Sequence, residues 1–220
     1  MLEYDLRHCL PSAEDLPDSD DTPVDNELQN LIPELLRAII ALLWGDRQDW
    51  FFGVDMGIYY DPEKPAIVPD GFLSLGVPHF IDEGLRLSYV LWEEREVPIM
   101  ALEVVSKTRR GEYSTKKRIY AQIGIPYYII YNPLRRRKSP LEVYKLEGDD
   151  YLLYSSASPS WLPELGLAIG RDRGTYQGKT REWLYWYDEN NKRYLTPEER
   201  ISRLENRLKS LGVDLNTLEE

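Results

Sequence analysis

Two acidic residues occupy apolar stretches of this sequence, where a charge is costly. Asp70 follows Pro69 in AIVPDGFLSL at 66–75, and Glu103 lies within VPIMALEVVS at 97–106. A buried carboxylate without a partner costs several kcal/mol. Because neighbouring strands lie about 4.8 Å apart, two carboxylates on one face of a sheet could share a cation. Mg²⁺ suits such a site, since it takes one or two carboxylates and completes its coordination with water and phosphate oxygens.

Lysine residues that follow Glu103 could position or activate a water molecule for hydrolysis. Lys107 lies four residues after Glu103, an even spacing that keeps both on one strand face if the strand continues. Lys116 and Lys117 lie on the next predicted helix, whose first turns would pass over the carboxyl end of the strand. The sequence therefore predicts a hydrolytic site built from Asp70, Glu103 and a lysine.

Each of these residues also has an ordinary structural explanation. Asp70 could bind the backbone amides of a turn, and Glu103 could be the buried partner of an arginine. Paired lysines are most often a solvated helix face. The two acids in this order, with a lysine-bearing helix behind them, favour the site.

Apolar periodicity predicts three helices. The segment 27–44 repeats apolar residues at the three–four spacing of one helical face. A second helix is predicted at 113–124, with Gly124 as its stop signal. A third begins at Thr196, with Pro197 in its first turn. Its apolar seam covers less than two heptads, so this helix could pack on its own domain or pair two subunits as a homodimer.

Strand-like segments lie between and after these helices. Four consecutive strands are predicted before the second helix, at 50–60, 66–75, 85–94 and 97–106. A buried strand at 126–132 follows that helix and implies a parallel crossover pair. Two hairpins are then expected, one across 148–150 and one across Asn190–Asn191. The predicted fold is α/β, with a mixed sheet flanked by helices.

The composition sets the domain organisation and excludes several classes of protein. At 220 residues, with 42% hydrophobic content, the chain can bury one substantial core. We expect a mobile acidic arm at 1–26, a main domain at 27–175, a β-hairpin extension at 176–195 and a terminal helix at 196–220. One cysteine and two histidines cannot build a zinc cage, so carboxylates would have to hold any metal. The sequence shows neither a membrane span nor a signal peptide, which predicts a cytoplasmic protein.

Charge is distributed unevenly along the chain. The net charge of -11 argues against general coating of nucleic acid, which requires a broad excess of Lys and Arg. The segment 107–118 nevertheless carries six basic residues against one acid, Glu112. Such a segment beside a metal site could hold a phosphate backbone, or it could be a loop that its charge keeps soluble.

The order of these motifs resembles the PD-(D/E)XK nuclease superfamily and, within it, the Uma-type restriction endonuclease family. VPD at 68–70 precedes Glu103 in LEVVS. A helix with Lys116 and Tyr120 follows, and then GIPYY at 124–128. This combination of ordered motifs is far more specific than the dipeptide PD alone.

The resemblance covers about residues 27–170 and departs from the superfamily at one catalytic position. The usual E-X-K tripeptide would place a lysine at position 105, where this sequence has Val105. The resemblance therefore assigns the catalytic lysine to Lys116 on the helix, with Lys107 and Lys117 as alternatives.

The resemblance also implies a restriction-endonuclease-like core and a function. Asp70, Glu103 and the backbone carbonyl of Val104 would bind Mg²⁺ or Mn²⁺, and Glu27 on the first helix is a candidate outer-shell acid. The implied reaction is hydrolysis of phosphodiester bonds in nucleic acid, with DNA as the expected substrate. The alternative is a catalytically silent scaffold with the same fold that binds DNA or a protein partner.

Overall fold

The structure is a computed structural model, and it describes residues 10–17, 26–81, 85–107, 110–135 and 137–212. The helices in this part of the chain are α1 (Leu28–Leu43), α2 (Leu91–Glu94), α3 (Thr115–Ile123) and α4 (Pro197–Ser210). The first five strands are β1 (Trp50–Val54), β2 (Ile58–Tyr59), β3 (Gly71–Leu75), β4 (Tyr89–Val90) and β5 (Met100–Val104). The later strands are β6 (Tyr127–Tyr131), β7 (Leu141–Glu147), β8 (Asp150–Ser155), β9 (Ser160–Leu162), β10 (Leu167–Tyr176) and β11 (Lys179–Tyr187).

A six-stranded mixed sheet in the order β1-β3-β5-β6-β7-β8 forms the centre of the fold. Its neighbouring strands are antiparallel except for β5 and β6, which run parallel and are joined through α3. The predicted crossover and the predicted hairpin across 148–150 are therefore confirmed. Gly124 ends α3 in the left-handed conformation, with φ of 89°, as its type predicts.

Helices cover both faces of this sheet. The apolar stripe of α1 packs on one face, where Ile32, Leu35 and Ile39 are fully buried. On its outer side α1 contacts a second sheet, β11-β10-β9, and Trp186 Nε1 donates a hydrogen bond to the carbonyl of Leu36 at 3.0 Å. On the opposite face of the central sheet, α3 packs through Tyr120. The fold is thus α/β, as predicted.

The prediction of a strand at 85–94 is wrong for most of that segment. Only Tyr89 and Val90 form a strand, β4, and the chain then turns into α2. Arg86 donates to the Glu94 carboxylate, which folds the two ends of the segment together. Leu85 remains 89% exposed, so its apolar type does not indicate a buried strand.

The hairpin predicted across Asn190–Asn191 forms only as a short reversal without a second strand. After β11 the chain turns back with one antiparallel bridge between Tyr187 and Arg193, and the amide of Tyr194 donates to the carbonyl of Trp186 at 2.9 Å. Instead, β11 pairs along its whole length with β10, and the two strands are joined by a turn in which Gln177 and Gly178 have positive φ. This hairpin spans the predicted boundary between residues 175 and 176.

The two ends of the described chain differ in their packing. Most of the predicted acidic arm, at 1–9 and 18–25, lies outside the described residues. Within 10–17, the carbonyl of Pro11 accepts a hydrogen bond from Trp92 Nε1 at 2.9 Å, and that of Pro17 accepts one from Tyr59 at 2.6 Å. At the other end, α4 has no buried residue. No helix in the described ranges is long and apolar enough to cross a membrane.

Candidate active site

Asp70 lies immediately before β3, one residue outside the strand in which the sequence placed it. The next residue must be small, because a Cβ atom on Gly71 would lie 2.9 Å from Pro33 Cβ of α1. This close approach brings Gln29 of α1 to the carboxylate, where Gln29 Nε2 donates to Asp70 Oδ1 at 3.2 Å. The backbone amide of Val104 donates to Asp70 Oδ2 at 2.6 Å. Both carboxylate oxygens are therefore fixed by donors from different elements.

The start of α1 fixes the orientation of Gln29. Its side-chain oxygen Oε1 accepts a hydrogen bond from the backbone amide of Asn26 at 3.3 Å. The Asn26 side chain in turn accepts from the amide of Leu28 at 2.9 Å and so satisfies one free donor of the first helical turn. Because the Gln29 oxygen is engaged in the cap, its NH₂ group is left to face Asp70.

Glu103 lies on the face of β5 that α3 covers and is only 2% exposed. Lys116 Nζ lies 2.9 Å from both Glu103 carboxylate oxygens and 2.9 Å from the carbonyl oxygen of Val68. Tyr120 donates its hydroxyl to Glu103 Oε1 at 2.6 Å. Lys116 and Tyr120 are four residues apart, so one face of α3 presents both to the carboxylate.

Burial and mutual repulsion determine the charge states of this group. Burial raises the pKa of Asp70 well above its usual range, and the nearby Glu103 carboxylate raises it further. Burial also raises the pKa of Glu103, although the Lys116 ammonium and the Tyr120 hydroxyl oppose that effect. For Lys116, burial lowers the pKa, but the charge of Glu103 outweighs it and the pKa is raised. Lys116 is therefore an ammonium group that compensates two crowded carboxylates.

The donor set at Asp70 and Glu103 fits a hard divalent cation. Both side chains offer oxygen ligands, and the charge of Glu103 raises the pKa of Asp70, an effect that a shared cation would relieve. The N–H and C=O of a strand residue point to the same side, so the Val104 carbonyl faces the side on which its amide binds Asp70. Within the described ranges, no group of three or more His, Cys, Asp or Glu side chains is placed to hold a metal ion. Asp70 and Glu103 supply two carboxylates, and Mg²⁺ is commonly bound by one or two.

The other residues proposed from the sequence lie elsewhere. The ammonium of Lys117 lies 3.6 Å from the ring centroid of Tyr144. Lys107 is exposed beyond the end of β5, so the assumption that the strand continues to it is wrong. The Glu27 side chain is 73% exposed and pairs with Lys179 at 3.1 Å. The structure thus brings Asp70, Glu103 and Lys116 together and separates the alternatives from them.

The sequence reasoning did not identify two polar residues close to the site. Gln29 is buried on the apolar face of α1, in line with Ile32 and Leu36, and a polar residue at such a position was a usable signal. Glu112 is also buried, accepts a hydrogen bond from the Arg110 amide at 2.8 Å and contributes to the raised pKa of Glu103. Nothing in its surrounding sequence distinguished Glu112 from the other charges of the basic segment.

The central mixed sheet, its parallel crossover and the flanking helices define a restriction-endonuclease-like fold. A protein-family model, Uma2, described as "Putative restriction endonuclease", matches residues 21–173, which is more than half of the chain. The chain therefore belongs to the Uma2 family, and the resemblance seen in the sequence is confirmed. Membership indicates a nuclease and hence a nucleic-acid substrate. A comparison with curated proteins gave no match.

Proposed function

We propose that this protein is a metal-dependent endonuclease that acts in the cytoplasm and hydrolyses phosphodiester bonds of DNA, with Mg²⁺ or Mn²⁺ as its cofactor. One observation carries the proposal. Two buried carboxylates, Asp70 and Glu103, meet beside the Lys116 ammonium, next to the end of the parallel strand β5. Such carboxyl ends are where ligand sites of open α/β sheets gather.

In this proposal Asp70, Glu103 and the Val104 carbonyl hold the cation. When bound, the cation supplies a Lewis acid that polarises the phosphate and lowers the pKa of a water molecule. Gln29 and the Val104 amide keep the Asp70 carboxylate in one orientation, and Tyr120 does the same for Glu103. Fixed ligands favour catalysis because they need not reorganise during the reaction.

Lys116 serves in this proposal as a hydrogen-bond donor to the reacting groups. Its ammonium lies 2.9 Å from three acceptors, two oxygens of Glu103 and the carbonyl of Val68, so a cation that bound the Glu103 oxygens would release N–H groups for the substrate. The side chain is 23% exposed, so substrate can reach it. We infer that it orients the attacking water and stabilises the negative charge that develops on the phosphate.

The test is Mn²⁺-dependent cleavage of single- and double-stranded DNA by the wild type and three variants. Asp70→Ala and Lys116→Ala should lose cleavage while they keep their circular dichroism spectra. Lys117→Ala, one residue further along α3, should keep cleavage because its ammonium lies over Tyr144. A wild type that neither cuts DNA nor gains thermal stability from Mn²⁺ would instead favour the silent scaffold.

We further propose that α4 pairs two copies of the chain. Its apolar seam consists of Ile201, Leu204, Leu208 and Leu211. Leu208 is half-buried, whereas Ile201, Leu204 and Leu211 are 55%, 57% and 64% exposed. These residues follow heptad a and d spacing. Parallel pairing would place Arg200 beside Glu205 of the partner subunit, whereas antiparallel pairing would oppose two arginines, Arg200 and Arg207. The charges therefore favour a parallel homodimer.

Light scattering after size-exclusion chromatography tests this pairing. The wild type should dimerise in a concentration-dependent manner, and Glu205→Arg should be a monomer because it opposes two arginines. The double variant Arg200→Glu/Glu205→Arg should dimerise again, since it exchanges the two charges. A monomeric wild type at all concentrations, or dimerisation unaffected by Glu205→Arg, would contradict the proposal.

A further inference from the structure

A cavity of about 580 Å³ opens beside the candidate active site. Its wall includes Leu28 at the start of α1 and Val105 after the end of β5. Both residues are next to groups that bind Asp70: Leu28 precedes Gln29, and Val105 follows Val104. Two residues of the cavity wall are therefore immediate chain neighbours of the groups that bind Asp70.

Three basic side chains from distant parts of the sequence line this cavity. Lys107 follows β5, whereas Lys179 and Arg181 lie at the start of β11. The sequence alone singled out Lys107 within the basic segment, but gave no reason to place β11 beside it. The β10–β11 hairpin packs against α1, which brings its basic end to this cavity.

The charges of these residues are available to an anion. Lys179 pairs with Glu27 at 3.1 Å, but the two side chains are 50% and 73% exposed, and exposed pairs exchange partners at little cost. Arg181 lies 5.5 Å from the ring centroid of Trp183, and within the described part of the chain no carboxylate forms an ion pair with it. Arg181 Nε donates to the carbonyl of Glu182 at 3.3 Å, which leaves the two terminal NH₂ groups of the guanidinium for an anion.

We propose that this cavity binds the phosphodiester backbone of the nucleic-acid strand on which the site acts. Lys107, Lys179 and Arg181 hold a phosphate group that flanks the one at Asp70 and Glu103. The volume matches that of sites for small ligands and accommodates about one nucleotide. This inference rests on the proposed nuclease function and adds to it the course of the nucleic-acid strand across the protein, called here the strand path.

Binding of fluorescent single- and double-stranded oligonucleotides tests the inference, with EDTA present to prevent cleavage. The logarithm of the binding constant falls linearly with the logarithm of the salt concentration, with a slope of about one for each phosphate that the protein neutralises. Lys179→Gln/Arg181→Gln should therefore bind at least about tenfold more weakly than the wild type, with a slope smaller by about two. Both residues lie at the surface, and the melting temperature checks that the fold is kept.

The matched control is Arg173→Gln on the neighbouring strand. Arg173 pairs in register with Glu182, and Arg181 pairs with Gly174. Because side chains alternate along a strand, Arg173 and Arg181 lie on opposite faces of the hairpin. Arg173→Gln should leave both affinity and salt slope unchanged. Equal effects of the double variant and this control would overturn the inference.

Cleavage by the same proteins separates this inference from the proposed function. If the wild type cuts DNA and the double variant binds and cuts as well as the control, the strand path is wrong and the nuclease stands. If binding depends on Lys179 and Arg181 but no protein cuts, the strand path stands and the nuclease is wrong. A wild type that neither binds nor cuts overturns both.

Discussion

Removing the Lys116 ammonium should destabilise the protein, because the Glu103 carboxylate would stay buried without a cation. Glu103 is 2% exposed, and Lys116 Nζ lies 2.9 Å from both its oxygens. Breaking a buried ion pair by removing one partner costs about 3–5 kcal/mol. Since the Lys116 side chain is 23% exposed, water can replace part of the interaction. We therefore expect Lys116→Met to lower the free energy of unfolding by about 3 kcal/mol.

A double-mutant cycle measured by urea unfolding in EDTA at neutral pH tests this value. Glu103→Gln keeps an acceptor for Tyr120 but removes the charge that faces Lys116, a loss of about 2 kcal/mol. The double variant removes both charges, so its cost should be about 2 kcal/mol smaller than that of the two single changes together. Lys117→Met is the control and should cost at most about 1 kcal/mol. Additive costs within about 0.5 kcal/mol would refute a stabilising ion pair.

Three further changes test the packing and the C-terminal helix. Trp186→Ala should lower the unfolding free energy by about 4 kcal/mol, because it empties a fully buried position and removes the donor to the Leu36 carbonyl. Thr196→Ala should cost about 1 kcal/mol and reduce helicity, since Thr196 forms a capping box with Glu199. Burial raises the pKa of Glu199, but hydrogen bonds from Arg193 and the Thr196 amide outweigh it and lower the pKa below 4.5. That stabilisation is present at neutral pH and is lost as the pH falls through the lowered value. The stability difference between wild type and Glu199→Gln should therefore shrink as the pH is lowered below 4.5, and a constant difference would contradict the pairing.

The parts of the fold that the sequence predicts are those with strong local signals. The helix at 27–44 has a long apolar stripe, and α3 has a stop signal at Gly124 that adopts the left-handed conformation. That Asp70 and Glu103 would both need buried partners was predictable for a related reason. A carboxylate in an apolar strand segment must have a partner, and the chain offered few partners of suitable chemistry.

The hairpin β10–β11 shows why other parts were not predictable. The sequence of β10 contains Gly170 and Gly174, which are typical of turns and strand breaks. In the fold, a Cβ atom on Gly170 would lie 2.8 Å from Pro159 Cα, and one on Gly174 would collide with the Tyr185 hydroxyl. The glycines are there because distant residues approach closely, which no local pattern reveals.

The role of Gln29 was missed although its position on the apolar face carried a signal. A charged residue attracts attention near a metal site, and Glu27 is the acid at the start of α1. The cap at Asn26 nevertheless directs Gln29 inward, while Glu27 faces the cationic Lys179. Gln29 lies three and seven residues before the buried Ile32 and Leu36, so helical periodicity places it on the buried face of α1.

Charge compensation by Lys116 also determines how the fold should respond to divalent metal. The ammonium already binds both oxygens of Glu103, so the wild type should remain folded in EDTA. A cation held by Asp70 and Glu103 has to compete with Lys116 for Glu103. In Lys116→Met that competition is absent, so Mg²⁺ should raise the melting temperature of the variant more than that of the wild type. Adding Asp70→Asn to Lys116→Met removes one metal ligand and should abolish the increase in melting temperature caused by Mg²⁺. A larger effect of Mg²⁺ on the wild type would mean that Lys116 assists metal binding, and the competition argument would be wrong.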